Sequence, residues 1–114
     1  MSLDLFAGVP VSDFTRALVW WESLFGTEPA FFPHDTEAVW EVAEHRYVYV
    51  VEDADRAGNA VITLFVDDVR QRVADLAERG LAPVDDETYD NGVRKVTYRD
   101  DDGNWIGFGG AASH

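Results

Sequence analysis

The chain has no cysteine, few basic residues and no long hydrophobic run. Without thiols there is no disulfide scaffold, no thiolate zinc site and no cysteine nucleophile, which suits a reducing cytoplasm. Only 9 Lys and Arg stand against 22 Asp and Glu, for a formal net charge of -13. A phosphate backbone is bound mainly through Lys and Arg, so nucleic acid is not an expected partner, and an anionic membrane surface is excluded on the same ground. The acidity reads as a solubility feature. The longest apolar run is only a few residues, too short to span a bilayer. Met1-Ser2-Leu3-Asp4 carries no basic region followed by an apolar stretch, so no secretory signal is expected.

What is present is enough to build a core. Of the 114 residues 46% are hydrophobic and 13% aromatic, which argues against disorder. A chain of this length fits one domain, and folding should bury roughly two-thirds of its unfolded surface.

The residue pattern gives the same series of elements twice. Leu5 to Val11 is a buried strand; Ser12 or Asp13 offers an oxygen to the free amides of a helix start. Phe14, Ala17, Leu18, Trp21, Leu24 and Phe25 fall on one helical face, and Gly26 is placed to end the helix. An edge strand is expected at Ala30 to Phe32, followed by a hairpin of Ala38 to Ala43 and Arg46 to Val51 turning near Glu44-His45. A polar connection, Asp53 to Asn59, leads to the second round. It has a strand at Ala60 to Val66, capping Asp67 and Asp68, and a helix with Val69, Val73, Leu76 and Ala77 inward, ended by Gly80. A weak strand within Pro83 to Tyr89 precedes a last hairpin, Gly92 to Arg99 and Asn104 to Phe108, whose connection holds the turn signal Asp-Gly-Asn. The expected fold is α+β: a single domain over 1–114, with two βαβββ modules (1–53 and 59–110) forming a curved mixed sheet around a cleft, helices on the outer face.

Three stretches carry a family resemblance. Val9-Pro10-Val11-Ser12-Asp13 with Arg16-Ala17-Leu18 and Trp21 to Gly26, Val66-Asp67-Asp68, and Asp100-Asp101-Asp102-Gly103-Asn104 come in this order over nearly the whole chain. Together they resemble the vicinal oxygen chelate superfamily, which includes glyoxalase I, extradiol dioxygenases and bleomycin-resistance proteins. Asp101 replaces the Pro of the family's Asp-Pro-Asp-Gly-Asn turn. The resemblance implies His and Glu or Gln metal ligands on the first and last strands of each module. Those positions fall here on Phe6, Val61 and Gly107, with the fourth in Arg46 to Val50, at Tyr47 or Tyr49. Phe, Val and Gly have no side-chain donor and neutral Tyr is a poor ligand, so neither a metal nor another cofactor is expected.

Strand alternation sorts the faces. With Ala7, Val9 and Val11 on the helix, Phe6 faces the cleft; so do Val61, Thr63 and Phe65, and Trp105 on the last strand. Tyr47 and Tyr49 share one face, and Trp40 is expected with them. Arg94 and Lys95 sit on a strand of an acidic protein, where a surface role is the first expectation; for the alternative, that one faces the cleft and meets a ligand carboxylate, Arg94 is the residue assigned. This aromatic surface suits either packing, as a dimer interface or second core, or a planar organic ligand.

Other candidates are weaker. His34, His45 and His114 read as solvated, and His34-Asp35 with Glu37 and Glu41 has poor ligand spacing. Asp100 to Asp102 lacks the later bidentate Glu of a calcium loop. The expectation is a metal-independent, cytoplasmic, small-molecule-binding protein of the bleomycin-resistance type, homodimeric by resemblance. The alternative is a glyoxalase- or dioxygenase-like enzyme (lyase, isomerase or oxidoreductase) with a non-standard site, using His34 and Glu41 for a metal, or Tyr47, Tyr49 or Arg94 without one.

Overall fold

The computed structural model describes residues 3–112; Met1, Ser2, Ser113 and His114 lie outside the described residues, and the terminal histidine considered above is among them. The elements run β1 (Leu5–Val11), α1 (Phe14–Phe25), β2 (Phe31–His34), β3 (Glu37–Ala43), β4 (Arg46–Glu52), β5 (Val61–Phe65), α2 (Val69–Glu78), β6 (Asp85–Thr88), β7 (Val93–Arg99) and β8 (Trp105–Ala111). This is the βαβββ order, twice.

Both helices begin on an aspartate. Asp13 keeps extended backbone angles while its carboxylate accepts the Arg16 amide at 3.2 Å; Asp68 does the same for Gln71 at 3.0 Å. Each cap satisfies a donor that the first helical turn cannot pair internally. Gly26, with φ of 73°, closes α1 by donating to the Glu22 carbonyl. Phe14, Ala17, Trp21 and Leu24 are buried, with Leu18 and Phe25 partly so. Burial of each large side chain of this stripe contributes about 1.5–3 kcal/mol. In α2 the stripe is shorter: Val69 and Leu76 are buried, Val73 partly, and Ala77, expected inward, is exposed.

The strands pair within their modules. The first sheet has the order β1-β4-β3-β2 and the second β5-β8-β7-β6; in each, the opening strand lies parallel to the last and the other pairs are antiparallel. The mixed sheet is thus two four-stranded sheets, with no ladder joining them among the described residues. The β3–β4 turn falls at Glu44-His45, where His45 takes φ of 64°. The first edge strand sits slightly later than expected and includes Pro33, which β2 tolerates because it pairs on one side only. The last strand continues three residues beyond Phe108, through Gly109 and Gly110 to Ala111.

One hydrophobic cluster takes side chains from both modules, including Val9, Trp21 and Trp40 from the first and Leu76, Tyr98 and Phe108 from the second. Polar contacts cross at the same place. Asn104, fully buried, accepts from the Ala60 amide and donates to the carbonyl of Pro10 on β1. Ser12 bonds the Asp102 carboxylate through both its amide and its hydroxyl. At the far end of the helices Arg79 donates to the carbonyls of Ser23 and Leu24, which the end of α1 leaves unpaired.

Candidate ligand-binding site

Each sheet has one face on the helices and an opposite, bare face. The bare face is open over β1 and β5, where Phe6, Val61 and Phe65 are exposed, but closed over the middle of β3. On the first sheet the bare face carries Phe6, Gly8, Tyr47 and Tyr49. The ladder sets Phe6 beside Tyr47 and Gly8 beside Tyr49. The Phe6 and Tyr47 rings stack at 4.4 Å, 10° from parallel. The hydroxyl end of the Tyr49 ring lies over Gly8, so close that a Cβ there would sit 2.6 Å from it. Desolvation, then the Glu41 and Asp4 carboxylates, holds the Tyr47 hydroxyl above the usual phenol range.

On the second sheet Val61, Thr63 and Phe65 of β5 face the same way as Trp105, Gly107 and Gly109 of β8, to which they pair in register. Val61 and Phe65 are 71% and 72% exposed, and Trp105 and Phe6 are also exposed. This is a sizeable apolar surface with no cover from its own chain. The Arg99 guanidinium lies 4.9 Å from the Trp105 ring.

Two expected cleft residues do not lie on the bare faces. Trp40 pairs with Val48 on the helix side, 1% exposed, its indole donating to the Thr27 carbonyl and its ring 5.2 Å from Phe25. Ala38, Val39 and Trp40 are all buried, because β3 is covered on both faces; no alternation survives there to assign a side. Arg94 shares the helix side with buried Val96 and Tyr98 and forms a two-pronged pair with Asp86, at 3.0 and 2.7 Å. Lys95, its neighbour, is the cation on the bare face, beside Thr97. Buried Val96 was the available signal: in a strand, it fixes Arg94 on its own side and Lys95 on the other.

The assigned residues do not form a single cleft. Phe6, Tyr47 and Tyr49 make one patch; Val61, Thr63, Phe65 and Trp105 make another, on a different sheet. Beside the second patch lies a cavity of about 350 Å³ between the modules, lined by Phe25, Trp40, Glu41, Arg46, Thr63 and Phe65 among others. Its size suits a small organic molecule. Arg46 and Glu41, at the mouth of the β3–β4 hairpin, have no local sequence signal for such a role.

The positions where the superfamily places a cation do not fit one. Phe6 is stacked on Tyr47, Val61 has no donor, and the aliphatic stem of Lys95 lies across Gly107. Among the described residues no three His, Asp or Glu side chains converge. His34 pairs with Glu37 at 3.1 Å and His45 with Asp4 at 2.7 Å, both at the surface.

A solved structure described as a glyoxalase/bleomycin resistance protein from Catenulispora acidiphila DSM 44928 is 53% identical, with a TM-score of 0.93, covering 96% of this chain and 99% of that one. The chain belongs to the glyoxalase/bleomycin resistance protein family, within the vicinal oxygen chelate superfamily. The antibiotic-binding protein TnmS3 from Streptomyces sp. CB03234 is 24% identical with a TM-score of 0.75, covering 97% of each chain. A bleomycin-binding protein complexed with bleomycin is 15% identical with a TM-score of 0.76, covering 96% of this chain and 98% of that one. At these identities the last two share the fold. No protein-family model and no curated protein matches the chain. Among the described residues no helix is long and apolar enough to cross a membrane.

Proposed function

We propose that the protein is a metal-independent, cytoplasmic binding protein that sequesters a small organic molecule with a planar aromatic body, and that it works as a homodimer. The observation that carries this reading is the uncovered aromatic surface of the two sheets, with a cavity of about 350 Å³ that Thr63 and Phe65 of the second sheet line. Sequestration requires affinity but no acid, base or metal, and aromatic side chains give a flat ligand about 0.5–1.5 kcal/mol per ring contact beyond burial. Relatives of the same fold are described as antibiotic-binding and bleomycin-binding, which fits this use of the surface. Large exposed apolar patches mark binding or association surfaces. Two copies bringing a first sheet of one against a second sheet of the other would enclose the ligand and cover Val61 and Phe65.

The test is a titration of planar natural products, followed by tryptophan fluorescence and melting temperature, with light scattering for the dimer. Saturable quenching with a rise in melting temperature supports the reading. Indifference to every compound, from a protein that scatters as a monomer, removes it. Stoichiometric iron, zinc or nickel in protein purified without chelator would favour an enzyme instead.

A further inference from the structure

We propose that the bare face of the second sheet holds a carboxylate-binding subsite, made by Lys95, Thr63 and Thr97 over the backbone of Gly107, and that the ligand is an organic monoacid. This rests on the small-molecule reading above and narrows its ligand class.

The geometry comes from two glycines in β8. The Phe65 ring lies on Gly109, where a Cβ would be 3.0 Å from it. Lys95 is the cross-strand partner of Gly109, and its stem leans instead over the diagonal position, Gly107. A Cβ at Gly107 would meet Lys95 Cε at 3.0 Å and both Thr63 Oγ1 and Thr97 Oγ1 at 3.6 Å. An amine-bearing chain and two hydroxyls thus gather over one stretch of bare backbone.

None of the three is occupied elsewhere. Thr97 is 5% exposed as a residue, and its hydroxyl, turned to the Gly107 position, is not among the buried polar atoms left without a partner, so it stays open to an incoming group. Lys95 is the chain's single lysine. It forms no ion pair among the described residues, although Glu87 stands across the ladder from it. The adjacent cation, Arg94, is already bound to Asp86. Thr63 also lines the cavity between the modules, so an anion held here could extend its apolar body past Phe65 into that space.

The charge argues for a monoacid. One ammonium with two hydroxyl donors matches a carboxylate, and Arg99 on Trp105 prolongs the cationic row along β7. A dianion would meet the field of a chain carrying a net charge of -13 with only partial local compensation.

Calorimetric titration of the full-length protein with 2-naphthoate and its neutral counterpart 2-naphthamide tests the subsite. Naphthoate should bind about tenfold more tightly, as expected for one charge-assisted contact. The preference should vanish in Lys95→Met, shrink in Thr97→Val, and persist in Lys95→Arg. Equal affinity of the two probes for the unmodified protein overturns the subsite and leaves small-molecule binding standing. So does a preference that survives Lys95→Met. Binding of neither probe also overturns it, and the broader reading is then decided by the natural-product titration.

Discussion

The indole of Trp21, from the first helix, donates to the Asp100 carboxylate of the second module at 3.2 Å, with both groups buried. The other Asp100 oxygen accepts the amides of Asp102 and Asn104, and Asn104 Nδ2 returns to Asp100 at 2.9 Å. One carboxylate therefore shapes the β7–β8 turn and grips the opposite module. The turn from Asp100 to Asn104 fastens the two halves together through Trp21, Ser12 and Pro10.

Asn104→Ala should consequently be costly. The side chain is fully buried, and its loss strands the Ala60 amide, the Pro10 carbonyl and one Asp100 contact. Each buried group left unpaired costs about 1–3 kcal/mol, so a loss of about 2–4 kcal/mol is expected after relaxation. Urea unfolding measures it as a lower midpoint. A loss under about 0.5 kcal/mol would mean that the modules are held by apolar packing alone.

Tyr98→Phe should have the opposite sign. The Tyr98 hydroxyl is buried without a partner, while its ring packs 6.1 Å from Phe108. Removing an unsatisfied hydroxyl and keeping the ring should be neutral or stabilising by up to about 1 kcal/mol. Burial raises the phenol's affinity for its proton, with Asp86 adding and Arg94 opposing. Its contribution to stability is therefore complete below the unfolded value near 10 and is lost as pH rises toward the folded value. The variant should lose less stability than the parent between neutral pH and pH 11. Identical alkaline slopes would contradict this.

The same physics sets what could be read in advance. Helix positions were legible because Asp13 and Asp68 are local caps and the apolar stripes repeat at helical spacing. The faces of β1 and β5 were legible because burial alternates along them, and the register with β5 then sets Trp105 of β8 on the same side as Val61. Trp40 was not, since β3 is covered on both faces, and Arg94 was not, since Val93 and Thr97 obscure the parity that Val96 and Tyr98 set. The fastening role of Asp100 and Asn104 was beyond local reading: their partners lie 79 to 94 residues away along the chain, or across the second module at Ala60.

Asp86→Asn should reveal a pH-dependent contribution at the sheet edge. The hydrogen bonds from Arg94 hold the Asp86 carboxyl below its usual range, against a smaller opposing effect of burial. A depressed carboxyl stabilises the fold above its unfolded value near 3.9 and loses that effect as pH falls through the folded value. The pair is partly exposed, so at neutral pH the variant should cost less than about 1 kcal/mol. Parent and variant should converge in stability toward pH 2. A difference that persists there would assign the effect to packing.

Gly8→Ala addresses the aromatic patch of the first sheet directly. Gly8 has ordinary extended backbone, so its requirement is space: the Tyr49 ring occupies the volume a methyl group would need, with both Cζ and Oη 2.6 Å from that position. Tyr49 must swing away or β1 must shift from β4, and such overpacking costs about 1–3 kcal/mol. If the ring swings out, the flat surface formed with Phe6 and Tyr47 is broken, and affinity for a planar aromatic compound should fall while the melting temperature drops by only a few degrees. Tyr49→Ala in the Gly8→Ala background separates the two outcomes, because it should restore stability to the methyl-bearing strand without restoring the binding surface. Recovery of binding in that double variant would show that Tyr49 props up the strand and does not touch the ligand.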